Sequence, residues 1–318
     1  MLTIRECLLD PTRSESCDLH CEPGTVTVVL GPNQSGKTPL CRLIAGLSSS
    51  ASGHVEVAGV RVKTSRGGSW AAGNEQVAMV FQAFVNYPHW TVAQNIASPY
   101  RAQGQADQSR VRELATLVKI DHLLERYPHE LSGGQQQRLA IARALAKDPK
   151  VLLMDEPFVN LDFKLREALN EELRALVEDT GVALLFTTSD PSDALALADR
   201  LVIISQHEVL QQGKPLDLYQ MPANIKAANL LSDPGLNTLS ATRFVRPEHL
   251  RITSERSGYA AKVKAVESNG AHSYLHALVE LPDGDKSWVA KLPGVVSIAM
   301  GNSTRLGFDE RDVLELDR

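Results

Sequence analysis

Residues Gly31 to Thr38 read GPNQSGKT, a run that fits G-x-x-x-x-G-K-[ST] and enters directly from the apolar stretch Val26 to Leu30. Residues of these types at this spacing bind phosphate. Gly31 and Gly36 let backbone N–H groups converge on phosphate oxygens, and the positive end of the helix that follows adds to the attraction. Lys37 reaches the β and γ phosphates of a nucleotide such as ATP, Thr38 offers a hydroxyl to Mg²⁺, and Asn33 completes the set of candidate nucleotide contacts. Farther along, Val151 to Met154 enter Asp155-Glu156-Pro157. Asp155 suits the oxygen shell of a Mg²⁺ ion, while Glu156 can polarise an attacking water as a general base. The bland alternatives are a glycine-rich turn with a solvated lysine and an acidic pair capping a helix.

Both motifs need rigid elements behind them. Short uninterrupted apolar runs such as Val26–Leu30, Val151–Met154, VALLFTT from Val182 and LVIIS from Leu201 are what parallel strands buried on both faces look like. Helical faces lie between them, one through Val111, Leu114, Leu117 and Val118 and another through Leu165, Leu169, Leu173 and Leu176. Strands alternating with helices predict an α/β layered domain over residues 1–235. After SDPG (Ser232 to Gly235) the pattern changes to alternation in YAAKVKAV and SYLHALVEL, with turns at SNG and PDGD. That pattern predicts a small all-β barrel or sandwich over 236–318.

Composition bounds the partners. A chain of 318 residues, 43% hydrophobic and 22% charged, is that of a soluble globular protein. Its net charge of −5, without a dense Lys/Arg run, speaks against nucleic acid. The start MLTIRECLLD lacks a basic flank and a signal-length apolar core, and no run of about 18 apolar residues occurs, so a cytosolic chain is expected. Cys7, Cys17, Cys21 and Cys41 show no second Cys/His pair at ligand spacing and read as reduced structural thiols.

The run LSGGQQQRLAIARALAKDPKVLLMDEP resembles the ATPases of ABC transporters, and YPHELSGG through NLD is similar to their sugar-importer branch, the maltose-type ATPases. RPEHL (Arg246 to Leu250) and the strands after it resemble the small OB-like (TOBE) domain that this branch carries. The resemblance implies a P-loop NTPase domain with a helical subdomain at about 86–150, followed by that β domain. It also implies two ATPase subunits closing head to tail, each signature motif (here Ser132, Gly133, Gly134 and Gln135) completing the other's nucleotide site. Ser132, Gly133 and Gly134 stand just ahead of the expected helix QQQRLAIARALAK and present a hydroxyl and free N–H groups at its positive end, a phosphate-binding surface without a lysine. By the same resemblance Gln82 senses the γ-phosphate and contacts Mg²⁺ or its water, and Asn160-Leu161-Asp162 crosses the dimer interface. Phe84, Tyr87, Pro88 and Trp90 would line the groove for a coupling helix of the transmembrane permease subunits, with core packing as the competing reading. The implied setting is the cytoplasmic face of the membrane, held there by two permease subunits and served indirectly by an extracytoplasmic solute-binding protein. FVNYP and NIASPYR lean towards the glycerol-type importers.

Three positions depart from that family. Its strand before DALALADR ends in Val-Thr-His-Asp, whereas this chain has Thr187-Thr188-Ser189-Asp190. Ser189 occupies the catalytic histidine's place but cannot carry a positive charge. No aromatic residue precedes Trp70, so Leu8 to Pro11 stand where the family stacks adenine; base stacking is worth about 1–3 kcal/mol, or roughly 5- to 150-fold in affinity. Pro39 lacks the N–H that the family turns to the α-phosphate. With the signature intact, these changes predict an impaired local site in an asymmetric heterodimer with an unlike ATPase. A fully active homodimer and a non-hydrolysing regulatory subunit are the alternatives.

Overall fold

The computed structural model describes residues 1–10, 16–48, 52–63, 76–81, 83–102, 107–159, 163–255 and 257–316. The chain divides into two compact units, Met1–Leu218 and Tyr219–Arg318.

In chain order the first unit runs β1 (Leu2–Cys7), β2 (Cys17–Cys21), β3 (Val26–Leu30), α1 (Lys37–Ile44), β4 (His54–Val57), β5 (Val60–Lys63) and β6 (Val77–Val80). It continues with α2 (Val92–Ile96), α3 (Ser98–Ala102), α4 (Gln108–Leu117), α5 (Gly133–Leu145), β7 (Val151–Asp155), α6 (Phe163–Thr180), β8 (Ala183–Thr188), α7 (Pro191–Leu197), β9 (Arg200–Ser205), β10 (Glu208–Gly213) and α8 (Pro215–Gln220). Among the described residues a six-stranded sheet has the order β10-β9-β3-β8-β7-β6, parallel except at its β10 edge. Strands β3, β7 and β8 are buried at every residue, because a parallel sheet packed on both faces leaves no side for polar alternation. A second, antiparallel sheet has the order β2-β1-β4-β5. Its Leu2, Ile4, Val55 and Val57 share one core with Cys41 and Ile44 of α1 and with Val29, Leu153, Leu185 and Val202 of the parallel sheet. This core fixes α1, and with it the loop between β3 and α1.

All four cysteines lie in this region, buried and in no disulfide, and burial pushes the Cys17 and Cys21 thiols up to about 12. Protonated at physiological pH, they pack as small apolar side chains. Among the described residues no helix is long and apolar enough to cross a membrane.

The second unit contains α9 (Ile225–Leu230), β11 (Asn237–Thr238), β12 (Arg243–Val245), β13 (Arg251–Ile252), β14 (Tyr259–Ser268), β15 (His272–Val279), β16 (Lys286–Pro293), β17 (Ser303–Gly307) and β18 (Val313–Glu315). Its antiparallel sheets have the orders β11-β12-β18 and β13-β17-β14-β15-β16 among the described residues. Val263, Leu275, Ala277, Trp288 and Leu306 fill the core between them, as the alternation of β14 to β16 requires.

The change of residue pattern at Ser232 to Gly235 falls inside this unit. Arg246, 1% exposed, is the reason: it donates to Ala228 O (3.3 Å), Tyr219 O (2.7 Å) and, closely, Ser232 Oγ, and stacks 3.9 Å over the Tyr219 ring. These bonds tie residues 219–232 to the β domain despite their helical sequence. Arg246→Leu would leave those three acceptors without their donor at a cost of about 3 kcal/mol. Amide hydrogen exchange across Tyr219–Ser232 is then expected to accelerate about 10²-fold relative to the wild type.

Candidate functional site

β3 ends against β8 and β9, and the loop that leaves it is tightly confined. A Cβ on Gly31 would lie 2.4 Å from Ile204 O and 2.5 Å from Ser35 Oγ, so only glycine fits. Gln34 (φ 63°) and Gly36 (φ 110°) turn the backbone through the left-handed region, which aims successive N–H groups into the loop's interior. Lys37, 3% exposed, folds back over this loop. Its Nζ donates to Gly31 O (2.5 Å) and Pro32 O (2.7 Å) and pairs with Glu156 Oε1 at 3.0 Å. A buried ammonium needs oxygens around it, and phosphate oxygens can replace these. Asn33 and Thr38 lie exposed at the rim. Ser35 Oγ is buried without a partner. Pro39 falls in the first turn of α1, where the first helical bond, Leu40 N to Gly36 O (2.9 Å), passes it by.

The strand register brings the second motif to the same place. Asp155 pairs in register with Thr187 across β7 and β8. Thr38 Oγ1 donates to Asp155 Oδ2 (2.8 Å), and Thr187 Oγ1 donates to Asp155 Oδ1 (2.9 Å). The Glu156 N–H in turn donates to Thr187 Oγ1 (3.0 Å), and Glu156 sits at φ 46°. This left-handed step after the strand directs the Glu156 carboxylate to Lys37. Thr38 and Asp155 together offer the hard oxygen donors that Mg²⁺ accepts alongside water and phosphate.

At the end of β8, Ser189 is exposed. The next residue, Asp190, caps α7 by accepting from Ser192 N (2.8 Å) and is closely paired with Arg166. Arg166 also lies 3.6 Å from Asp193, whose carboxyl burial pushes up to about 6 against the pull of Arg166.

Ser132 caps α5 in a reciprocal box: its Oγ accepts from Gln135 N (3.4 Å) and Gln135 Oε1 accepts from Ser132 N (2.9 Å). Ser132 and Gly133 are exposed, Gly134 is buried, and nothing lies within 4 Å of a Cβ placed on Gly133. Among the described residues no hydrogen bond or ion pair joins Ser132–Gln135 to Gly31–Thr38. None of Phe84, Tyr87, Pro88 and Trp90 is buried. Asn95, fully buried, builds their turn by donating to Tyr87 O, Trp90 O and Thr91 O and accepting from Tyr87 N. Gln82, Asn160, Leu161, Asp162, Pro11 and Trp70 lie outside the described residues.

With this geometry in place, the likenesses to known proteins can be interpreted. A model of the ABC transporter family matches residues 15–159, and one of the TOBE domain matches residues 244–316. The sn-glycerol-3-phosphate import ATP-binding protein UgpC of Psychromonas ingrahamii is 33% identical over 92% of this chain and 86% of its own. This chain belongs to the ATP-binding subunits of ABC transporters. The trehalose import ATP-binding protein SugC of Mycobacterium tuberculosis, strain H37Rv, is 32% identical over 94% of this chain and 90% of its own. In fold, cbiO1 of Clostridium perfringens, part of the ABC transporter complex cbiONQ, superposes with a TM-score of 0.62 at 24% identity, covering 72% of this chain and 94% of its own. The fold is accordingly that of a P-loop ABC ATPase followed by an OB-like TOBE domain.

Thr187 is the position that motif reading passed over. It stands where the ABC ATPase pattern has valine, and its alternation as a β-branched strand residue conceals that its hydroxyl bonds both acidic residues. Thr187→Val is expected to cost the ligand-free chain about 1–2 kcal/mol in chemical denaturation, with Thr187→Ser recovering most of it.

Asp193 makes stability depend on pH. An unfolded carboxyl ionises near pH 4, so between about 4 and 6 the folded chain binds more protons than the unfolded one. The stabilisation is full below the lower value and is lost as pH rises through the higher. Denaturation of wild type and Asp193→Asn at pH 4.5 and pH 7 should show the variant gaining relative stability at pH 7.

Proposed function

We propose that this chain binds MgATP in the Gly31–Thr38 loop and drives import of a sugar or polyol, glycerol-type solutes being the favoured class. The observation that carries the reading is the cluster of Lys37, Thr38, Asp155 and Glu156 at adjacent strand ends. Lys37, released from Gly31 O and Pro32 O, would hold the β and γ phosphates; Gly31, Asn33 and Gly36 would line them. Thr38 and Asp155 would hold Mg²⁺, with Gln82 beside it, and the ion would neutralise the phosphates and orient the γ-phosphoryl group. Once Lys37 turns to phosphate, the Glu156 carboxylate is free to take the proton of the attacking water.

The solute class is supported by relatives named for glycerol-3-phosphate and trehalose import. Such a role places the chain at the cytoplasmic face of the membrane through two permease subunits, with the Tyr87–Trp90 surface facing them and a solute-binding protein acting on the far side.

Ser189 favours a finer reading. An exposed hydroxyl replaces the imidazole that the family directs to the γ-phosphate, and loss of such a group commonly costs 10² to 10⁴ in rate. The signature cap at Ser132 to Gln135 has no such change, so it would complete the competent site of a second, unlike ATPase. ATP hydrolysis by the purified chain, alone and assembled with its permease and partner ATPase, tests this. Turnover of the chain alone is expected to be at least 10-fold below that of its Ser189→His variant, and Glu156→Gln should leave the assembled complex active. Robust turnover alone, unchanged by Ser189→His and abolished by Glu156→Gln, would instead establish an active homodimer.

A further inference from the structure

The phosphate loop has a neighbour that no motif announces. Gln206 and His207 form the turn between β9 and β10, and both adopt left-handed backbone, φ 50° and 69°. A two-residue hairpin turn of this kind prefers Asn-Gly or Gly-Gly, and a pair of non-glycine residues at positive φ is uncommon there. Strain of this sort persists where surrounding contacts enforce it and concentrates at functional sites.

The contacts are specific. The His207 N–H donates to Ser35 O at 2.7 Å, which fastens the turn to the phosphate loop. A Cβ on Gly36 would meet His207 Cδ2 at 3.1 Å and its Cα at 3.3 Å, so the ring lies directly alongside the residue before Lys37. On its other side, His207 Nδ1 is 4.0 Å from Asp10 Oδ2, and the ring keeps 27% of its surface open. Asp10 belongs to the Leu8–Pro11 segment, where the expected adenine-stacking aromatic is missing. The imidazole thus bridges the loop that would hold the phosphates and the segment that should hold the base.

We propose that His207 is the base-contacting residue of this site, its imidazole supplying the aromatic face that the N-terminal segment lacks. The inference rests on the reading of Gly31–Thr38 as a nucleotide loop. Imidazole is one of the side-chain rings on which nucleobases stack, and a flat ring beside Gly36 can cover a base whose phosphates occupy the loop. Asp10 Oδ2 lies 4.0 Å from the Nδ1 edge of the imidazole. The N–H that fastens the turn to Ser35 O is retained by every substitution except proline, so side-chain variants test the ring by itself.

That difference supplies the test. Calorimetric titration of the full chain with MgATP and with magnesium tripolyphosphate, which has phosphates and no base, compares wild type, His207→Ala and His207→Phe. His207→Ala is expected to weaken MgATP at least about 5-fold and to leave tripolyphosphate within about 2-fold, while His207→Phe keeps MgATP within about 2-fold. Unchanged MgATP affinity in His207→Ala overturns the proposal. An equal loss for both ligands also overturns it, making His207 a brace of the loop. If wild type binds neither ligand, the nucleotide reading falls and the proposal falls with it.

Discussion

Lys37 holds an ammonium 3% exposed at the end of the central strand, and a charge so buried is tolerable only where oxygens surround it. Gly31 O, Pro32 O and Glu156 Oε1 supply them, and each dictates local backbone. The two carbonyls face inward because the loop turns left-handed at Gln34 and Gly36, which in turn requires that no side chain stand at Gly31 beside Ile204 O. The carboxylate arrives because Glu156 leaves β7 at φ 46°. Charge burial thus selects the conformation of two loops that are far apart in sequence.

The register of the parallel sheet transmits that requirement. Asp155 can receive hydroxyls from Thr38 and Thr187 at once only if β7 and β8 are aligned as Asp155 with Thr187, while β3 is aligned with β8 as Leu30 with Thr188. A slip of one residue between β7 and β8 would turn Thr187 to the opposite face and leave the Glu156 N–H without its acceptor. The apolar residues of β3, β7 and β8, buried without exception, oppose such a slip by the hydrophobic free energy of the whole core. In this way packing distant from the polar cluster determines its geometry.

Much of this was legible in the residues. β3, β7, β8 and β9 announce themselves as apolar runs because a strand buried on both faces has no polar alternation to obscure it. The loop from Gly31 to Thr38 is legible because its glycines and lysine have few other reasons to share that spacing. The Gln206-His207 turn was not, since it lacks the glycine that normally marks left-handed backbone. Nor was the association of residues 219–232 with the β domain, which depends on Arg246 reaching back along the chain and leaves no periodic trace. Thr187 was hidden in another way: a β-branched residue in a strand needs no explanation until its hydroxyl is seen between two acids.

Two departures from the ABC ATPase pattern, Ser189 and Pro39, sit in an intact frame. At Ser189 the strand before it keeps Thr188 Oγ1 accepting from Asp190 N (3.0 Å), and the helix after it keeps Asp190 as cap and Arg166 as counter-ion. Ser189 itself is exposed, so exchanging imidazole for hydroxyl there disturbs no packing. Pro39 likewise occupies a helical turn in which no intrahelical N–H is required of it. Selection for folding would have had nothing to oppose at either position. What these substitutions alter is therefore the charge and the donors that the two loops present, and not the stability of the domain.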